Sequence, residues 1–244
     1  MIQVDACRFR MGSNEYKNEQ PVRIVSLAAF SVDPYPVTNE RFATFIAAGG
    51  YDTRDYWTEV GWSFIKGNDI RRPLYFDTPE FGQPRQPVTG VSWWEAMAFA
   101  AFEDKTLPTE AQWEYIAGRG EDRYPWGDAE PTAELANFAP GCEPAELDRR
   151  STPVDAFPKA VSRVGCWDVA GNVGEWCIDN ASRSYAWDFY GFNPVFLTAE
   201  TDPHVVRGGS GLHDEDCLRC ASRDYYRPEL RDNIVGFRCV RNEI

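Results

Sequence analysis

The chain has 244 residues, 43% of them hydrophobic and 14% aromatic, with 9 Trp, 11 Tyr and 15 Phe. That length suits one large domain with a core of its own, and the ring content excludes a disordered or coiled-coil protein. A net charge of −13 and a pI near 4.7 repel phosphate backbones, which excludes nucleic acid as an expected partner, and only two histidines, His204 and His213, leave little for a His-rich zinc or iron site.

The first helical signal is at Thr38, which precedes a run with Phe42, Phe45 and Ile46 on one face. A long segment from Gly50 to Pro87 follows and reads as ordered loop, rich in Trp, Tyr, Asp and Pro. Ser92-Trp93-Trp94-Glu95 has the form of a capping box and opens EAMAFAAF, apolar on every side, so the helix it starts is expected to be buried. Thr109 to Gln112 repeats the device before Trp113, Ile116 and Ala117. A second long loop runs from Tyr124 to Val164. Short apolar runs broken by Gly and Pro, VRIVSLAAFSV, VVRGGS, LRCAS and VGFRCV, predict strands of a small, mostly antiparallel sheet. The expected class is therefore α+β in one domain, residues 1–244, with little regular secondary structure.

Seven cysteines, an odd number without framework spacing, predict reduced thiols. No run approaches the roughly 18 apolar residues of a membrane span, and MIQVDACRFRMG lacks the regions of a secretory signal, so a cytoplasmic protein without membrane insertion is expected. Cys217 and Cys220 form a Cys-x-x-Cys. If residues 219 to 223 extend as a strand back to 217, the two thiols face opposite ways; a turn at His213-Asp214-Glu215-Asp216 could instead bring them together. The acids before Cys217 should raise its thiol pKa.

In order, the chain reads FRMGS, PVTNERFATF, PVTGVSWWEAMAFA, LPTEAQWEYIAGRG, YPWGD, STPVDAFP, GCWDVAGNVGEW, VVRGGS and VGFRCVR. Over nearly its whole length it resembles the formylglycine-generating enzyme and sulfatase-modifying-factor superfamily. The resemblance implies a variant of the C-type-lectin-like fold. It also implies a choice of functions: copper-dependent formylglycine-generating oxidases, inactive paralogues, domains fused to sulfoxide synthases, and variable proteins of diversity-generating retroelements.

The resemblance implies that an oxidase would carry two copper-binding cysteines after RGGS. Here RGGSGLHDEDCLRCASR is three residues shorter, with no cysteine at the first site, Cys217 two residues from the second and Cys220 at a variable position. Gly174 and Gly211 stand where rings are usual, which predicts a wider pocket; Ser210 is kept, and Asn233 adjoins a position, Ile234, where asparagine is usual. The resemblance also implies calcium at Asn172, Val173, Gly174 and Glu175, an all-oxygen set, and a second site at Asn137 and Phe138 with an acid near Glu146 or Asp148. The plainer alternative has Asn172 capping a turn and Glu175 pairing with an arginine.

The expectation that results is a calcium-stabilised domain binding a protein or small-molecule ligand through residues 211–217 and 224–233. Its candidate contacts are Gly174, Ser210, Gly211, His213, Asp214, Asp216, Tyr225, Tyr226, Arg227, Arg231 and Asn233, a mix that suits an adaptable, retroelement-diversified surface. The rival is a copper or iron oxidase acting through Cys217 on a peptidyl cysteine or small thiol.

Overall fold

A computed structural model describes residues 1–142, 150–185 and 191–243. The helices expected at Thr38, Ser92 and Thr109 form as α1 (Asn39–Ala47), α3 (Trp93–Phe102) and α4 (Glu110–Gly118). Each N-cap hydroxyl accepts the backbone N–H three residues on, and at Ser92 and Thr109 the Glu95 and Gln112 side chains return the bond to the cap backbone. Apolar all round, α3 is buried on nearly every face, as the sequence predicted.

The segment expected as loop from Gly50 to Pro87 holds a further helix, α2 (Glu59–Gly67), capped by Thr58. Its Gly61 lies so near Trp94 that a Cβ there would stand 2.9 Å from the Trp94 Cβ. Close packing against the Trp94 side chain thus accounts for a helix whose two glycines weaken any signal from propensity alone.

Among the described residues, nine short strands make three sheets: β1 (Ile2–Val4), β4 (Phe30–Val32) and β9 (Val240–Asn242) in one; β2 (Cys7–Met11) and β3 (Arg23–Leu27) in a hairpin; and β5 (Gly174–Asn180), β6 (His204–Arg207), β7 (Asp224–Tyr226) and β8 (Val235–Gly236) in a third. Every pairing is antiparallel except β5 with β8, in the order β7-β6-β5-β8. LRCAS is not a strand: residues 215–218 form a 3-10 turn, and pairing resumes only at Asp224.

Among the described residues, the two larger of three apolar clusters hold these pieces. One packs α1 and α3 on Trp176 and Phe237, with Phe42 stacked on Phe99 at 5.1 Å; the other joins β2, β3 and α4 through Phe9, Val25, Trp113 and Ile116. The four-stranded sheet lies between them, with Trp176 facing the first and Cys177 the second, as strand alternation requires. No helix among the described residues is long and apolar enough to cross a membrane.

Candidate functional site

Beyond Arg207 the chain leaves β6 through Gly208 and Gly209, at φ 96° and 67°, conformations glycine adopts without strain. A Cβ on Gly208 would also lie 2.5 Å from the carbonyl oxygen of Val169. The excursion passes Ser210 and His213, enters the 3-10 turn capped by Asp214, and returns to the sheet as β7. It encloses a cavity of about 280 Å3 lined by Gly174, Val206, Gly209, His213, Cys217, Arg223, Asp224, Tyr226 and Ile234 among others.

Of the residues expected at the site, Gly174, His213, Cys217 and Tyr226 meet in this cavity. Ser210 is buried behind them, its hydroxyl 2.8 Å from His213 Nδ1 and accepting the Leu212 N–H at 3.2 Å. The cavity-lining Val206, Arg223, Asp224 and Ile234 were not among the contacts expected from sequence. Asp224 opens the predicted loop and Val206 follows from β6 alternation, but nothing local reveals that Arg223 turns inward.

Other candidates lie elsewhere. Arg231 is tied by Nε and Nη2 to the fully buried Glu95, at 2.9 and 3.2 Å, and to the carbonyl of Arg72, so it braces the N-terminus of α3 instead of presenting a contact. Asp216 accepts from the Tyr16 hydroxyl at 2.8 Å and lies 3.8 Å from Arg219 Nε. Tyr225 points into a neighbouring groove with Lys17 and Arg183, Arg227 is exposed, and Asn233 donates its N–H to Asp232. Gly211 leaves no open space: a Cβ there would stand 3.0 Å from the Asn137 amide, which fills the room a ring would need. Gly174 does line the cavity, but an added Cβ there would stand 2.8 Å from Val206 Cγ1, a tighter approach still, so neither glycine leaves free room at its own Cβ position.

Cys217 reaches the cavity alone. Cys220 is buried behind Gly118, where an added Cβ would come within 2.7 Å of its sulfur. The thiols diverge, yet residues 215–218 form a 3-10 turn followed by irregular backbone, not the strand on which divergence was expected. Burial pushes the Cys217 thiol up to about 12, with Asp214, Asp224 and Asp216 adding to the rise. Burial likewise raises Cys220. Cys7, Cys166, Cys177, Cys217, Cys220 and Cys239 carry free thiols.

The residues expected to hold calcium do not fit it as they stand. Glu175, fully buried, gives Oε2 to Arg238 Nε at 2.7 Å and to the Trp113 indole N–H at 2.9 Å, and Oε1 to Arg238 Nη2 at 2.7 Å. Asn172, at φ 65°, turns its amide to the backbone of Thr152, accepting at 2.8 Å and donating at 3.1 Å. Val173 is packed in the core, and the Gly174 N–H bonds the Ile234 carbonyl. This is the plainer alternative for both side chains: a cation would have to displace Arg238 from Glu175. The Asn137 carbonyl accepts the Asn172 N–H and its amide donates to the Arg150 carbonyl, while Phe138 is buried. Glu146 and Asp148 lie outside the described residues. Among those described, no three His, Cys, Asp or Glu side chains group as metal ligands.

A second buried charge cluster braces the site from behind. Arg207 pairs with Glu110 and Glu114, and Arg223 clamps Glu110 through Nε and Nη2 at 2.5 and 2.8 Å. The two arginines hold the Glu110 carboxyl below its usual range against the opposing effect of burial; at Glu114 burial prevails and the pKa rises.

Comparison with known proteins agrees with this architecture. The chain is 33% identical to the formylglycine-generating enzyme of Thermomonospora curvata, covering 100% of this chain and 94% of that one. It is 34% identical to the serine/threonine-protein kinase Pkn1 of Chlamydia trachomatis and 33% identical to the hercynine oxygenase of Mycolicibacterium thermoresistibile. It spans only 38% and 52% of those two proteins while matching 99% and 91% of itself. PvdO of Pseudomonas aeruginosa superposes with a TM-score of 0.76 at 23% identity, over 99% of this chain and 93% of that one. Treponema denticola variable protein 1 superposes at 0.73 and 21%, over 100% and 95%. These two likenesses are of fold, the α+β, C-type-lectin-like variant that the sequence motifs implied. Matched by the family's profile over residues 1–243, the chain belongs to the sulfatase-modifying factor enzyme 1-like domain family.

Proposed function

We propose that this domain is a ligand-binding member of its family that does not generate formylglycine, and that the ligand enters the cavity beside β6. The observation that carries the reading is that, of the Cys217 and Cys220 pair, Cys217 lines the cavity while Cys220 is buried behind Gly118. A linear two-thiolate copper site needs both sulfurs on one ion. A thiol raised to about 12 among three carboxylates is also poorly prepared to become a thiolate. The relatives named as a kinase and as an oxygenase support this caution, since one domain type accompanies different activities.

The candidate contacts divide between the cavity, a neighbouring groove and structural ties such as Arg231 to Glu95, which favours a pocket over a broad diversified loop surface. The test is to incubate copper-loaded protein with a cysteine-containing peptide under oxygen, following oxygen uptake and aldehyde formation by mass spectrometry. Neither should rise above the protein-free control; catalytic turnover lost in Cys217→Ala would reject the reading.

One observation favours the rival oxidase: His213 lines the same cavity as Cys217. A mixed nitrogen and sulfur site would then bind one Cu(I) with loss of uptake in both Cys217→Ala and His213→Ala, and that titration separates the two readings.

A further inference from the structure

Asp224 stands where the cavity beside β6 meets the neighbouring groove, and it lines both. Its Oδ1 accepts the Tyr225 N–H at 2.8 Å and its Oδ2 accepts the Tyr226 hydroxyl at 2.7 Å. Among the described residues no lysine or arginine forms an ion pair with it, although Arg223 adjoins it in sequence. That guanidinium is held by other acceptors: Glu110 takes Nε and Nη2, and the carbonyls of Asn18 and Ser182 take Nη1. Lys17 and Arg183 lie in the groove on the other side of β7 without pairing to Asp224. His213 has one ring nitrogen against Ser210. The carboxylates of Asp214, Asp216 and Asp224 all act on Cys217, and those of Asp224 and Asp232 act on Tyr226, so these two cavity side chains stand among negative charges.

Apart from Ser222, the rest of the lining is short and apolar. Val206, Ile234 and Val235 supply aliphatic surface, while Gly174, Gly208 and Gly209 add backbone without side chains. A cavity of about 280 Å3 is at the small end for ligand sites, enough for a short chain and one polar head. A chain of methylenes would cover the aliphatic wall, and its charged end would meet the carboxylate that lacks a cationic partner.

We propose that the cavity takes a short alkyl chain ending in an ammonium or guanidinium group, with Asp224 as the counter-ion. This inference rests on the ligand-binding reading above and names the ligand's chemical class. Two sources offer that chemistry: a free amine, or the lysine or arginine side chain of a partner protein.

Saturation-transfer NMR and calorimetry on the intact chain test it with pentylamine, agmatine, and the Nα-acetyl N-methylamides of lysine and arginine, against pentanol and pentanoate. The cationic probes should bind and the neutral and anionic ones should not, with affinity falling at least tenfold in Asp224→Asn and weakening with salt. Preference for the free amines points to a metabolite, and preference for the capped amino acids points to a protein partner. Gly174→Trp fills the cavity and should abolish binding; Ile234→Phe serves the same purpose if circular dichroism shows the first variant unfolded. Equal binding of pentanol or pentanoate, lost in the filled variants, keeps the ligand-binding reading and overturns the cationic class. Cationic binding unchanged in Asp224→Asn also overturns it, and silence from every probe overturns both readings.

Discussion

Arg238 lays its guanidinium against both carboxylate oxygens of Glu175, with Nε and Nη2 each at 2.7 Å and both residues fully buried. The other donors of Arg238 reach the carbonyls of Asp33, Pro34 and Trp167, while Glu175 also accepts from Trp113. One pair therefore links β5, α4, the segment after β8 and the turn before Val169. Removing one partner leaves a buried charge, so Arg238→Met is expected to cost about 3–5 kcal/mol. The double variant Glu175→Gln with Arg238→Met should recover part of that loss. Urea unfolding of the three chains measures it; a single variant as stable as the parent would contradict the pairing.

The same pair sets an expectation for calcium. With its charge met by Arg238, Glu175 is not available to a cation, so Glu175→Gln should leave any calcium affinity of the chain unchanged. Calorimetry of calcium into parent and variant decides this, and uptake lost in the variant returns Glu175 to the role of ligand.

Arg231 offers a second contrast between support and contact. Its salt bridge to Glu95 lies behind the capping box of α3, where Tyr51 also donates to Glu95 at 2.6 Å. Arg231→Ala is expected to lower stability by roughly 2–4 kcal/mol while leaving occupancy of the cavity unaltered. A variant with normal melting but lost ligand would restore Arg231 to the binding surface.

Asp179 gives stability a pH dependence. It is buried and accepts the N–H groups of Glu110 and Phe196, and burial, followed by repulsion from Glu110, pushes its pKa up to about 7. A folded carboxyl raised above its unfolded value of about 3.9 holds a proton that the unfolded chain has released. Its contribution is thus fully present below about pH 4 and is lost as pH rises through about 7. Subtracting the stability profile of Asp179→Asn from that of the parent between pH 4 and 8 should isolate this fall; a flat difference would remove the assignment.

Cys217 should react slowly. With its thiol near 12, its alkylation by iodoacetamide at pH 8 is expected to run on the order of 1,000-fold slower than that of a free cysteine. Asp224→Asn should speed it by withdrawing one of the raising charges. Mass-resolved kinetics on the Cys217 peptide reads both effects, and a rate near that of free cysteine would show an activated thiol.

The sequence by itself determined whatever depends on near neighbours. Ser92 with Glu95 and Thr109 with Gln112 are three residues apart, so the capping hydrogen bonds they make follow from spacing alone. The all-apolar character of α3, its burial and most of the short strands were likewise legible, and ordered motifs along the chain carried the family. Residues 59–67 were not legible as a helix, because their support comes from Trp94, more than twenty residues away. Only the tertiary structure decided the site. Strand parity could not follow Cys217 and Cys220 through a 3-10 turn, and composition could not show that Arg238 would reach Glu175, that Glu110 would occupy Arg223, or that Asp224 would have no lysine or arginine paired to it among the described residues. The physical reason is that a buried charge is defined by its partner, and these partners come together only when segments 63 and 113 residues apart are packed into one core.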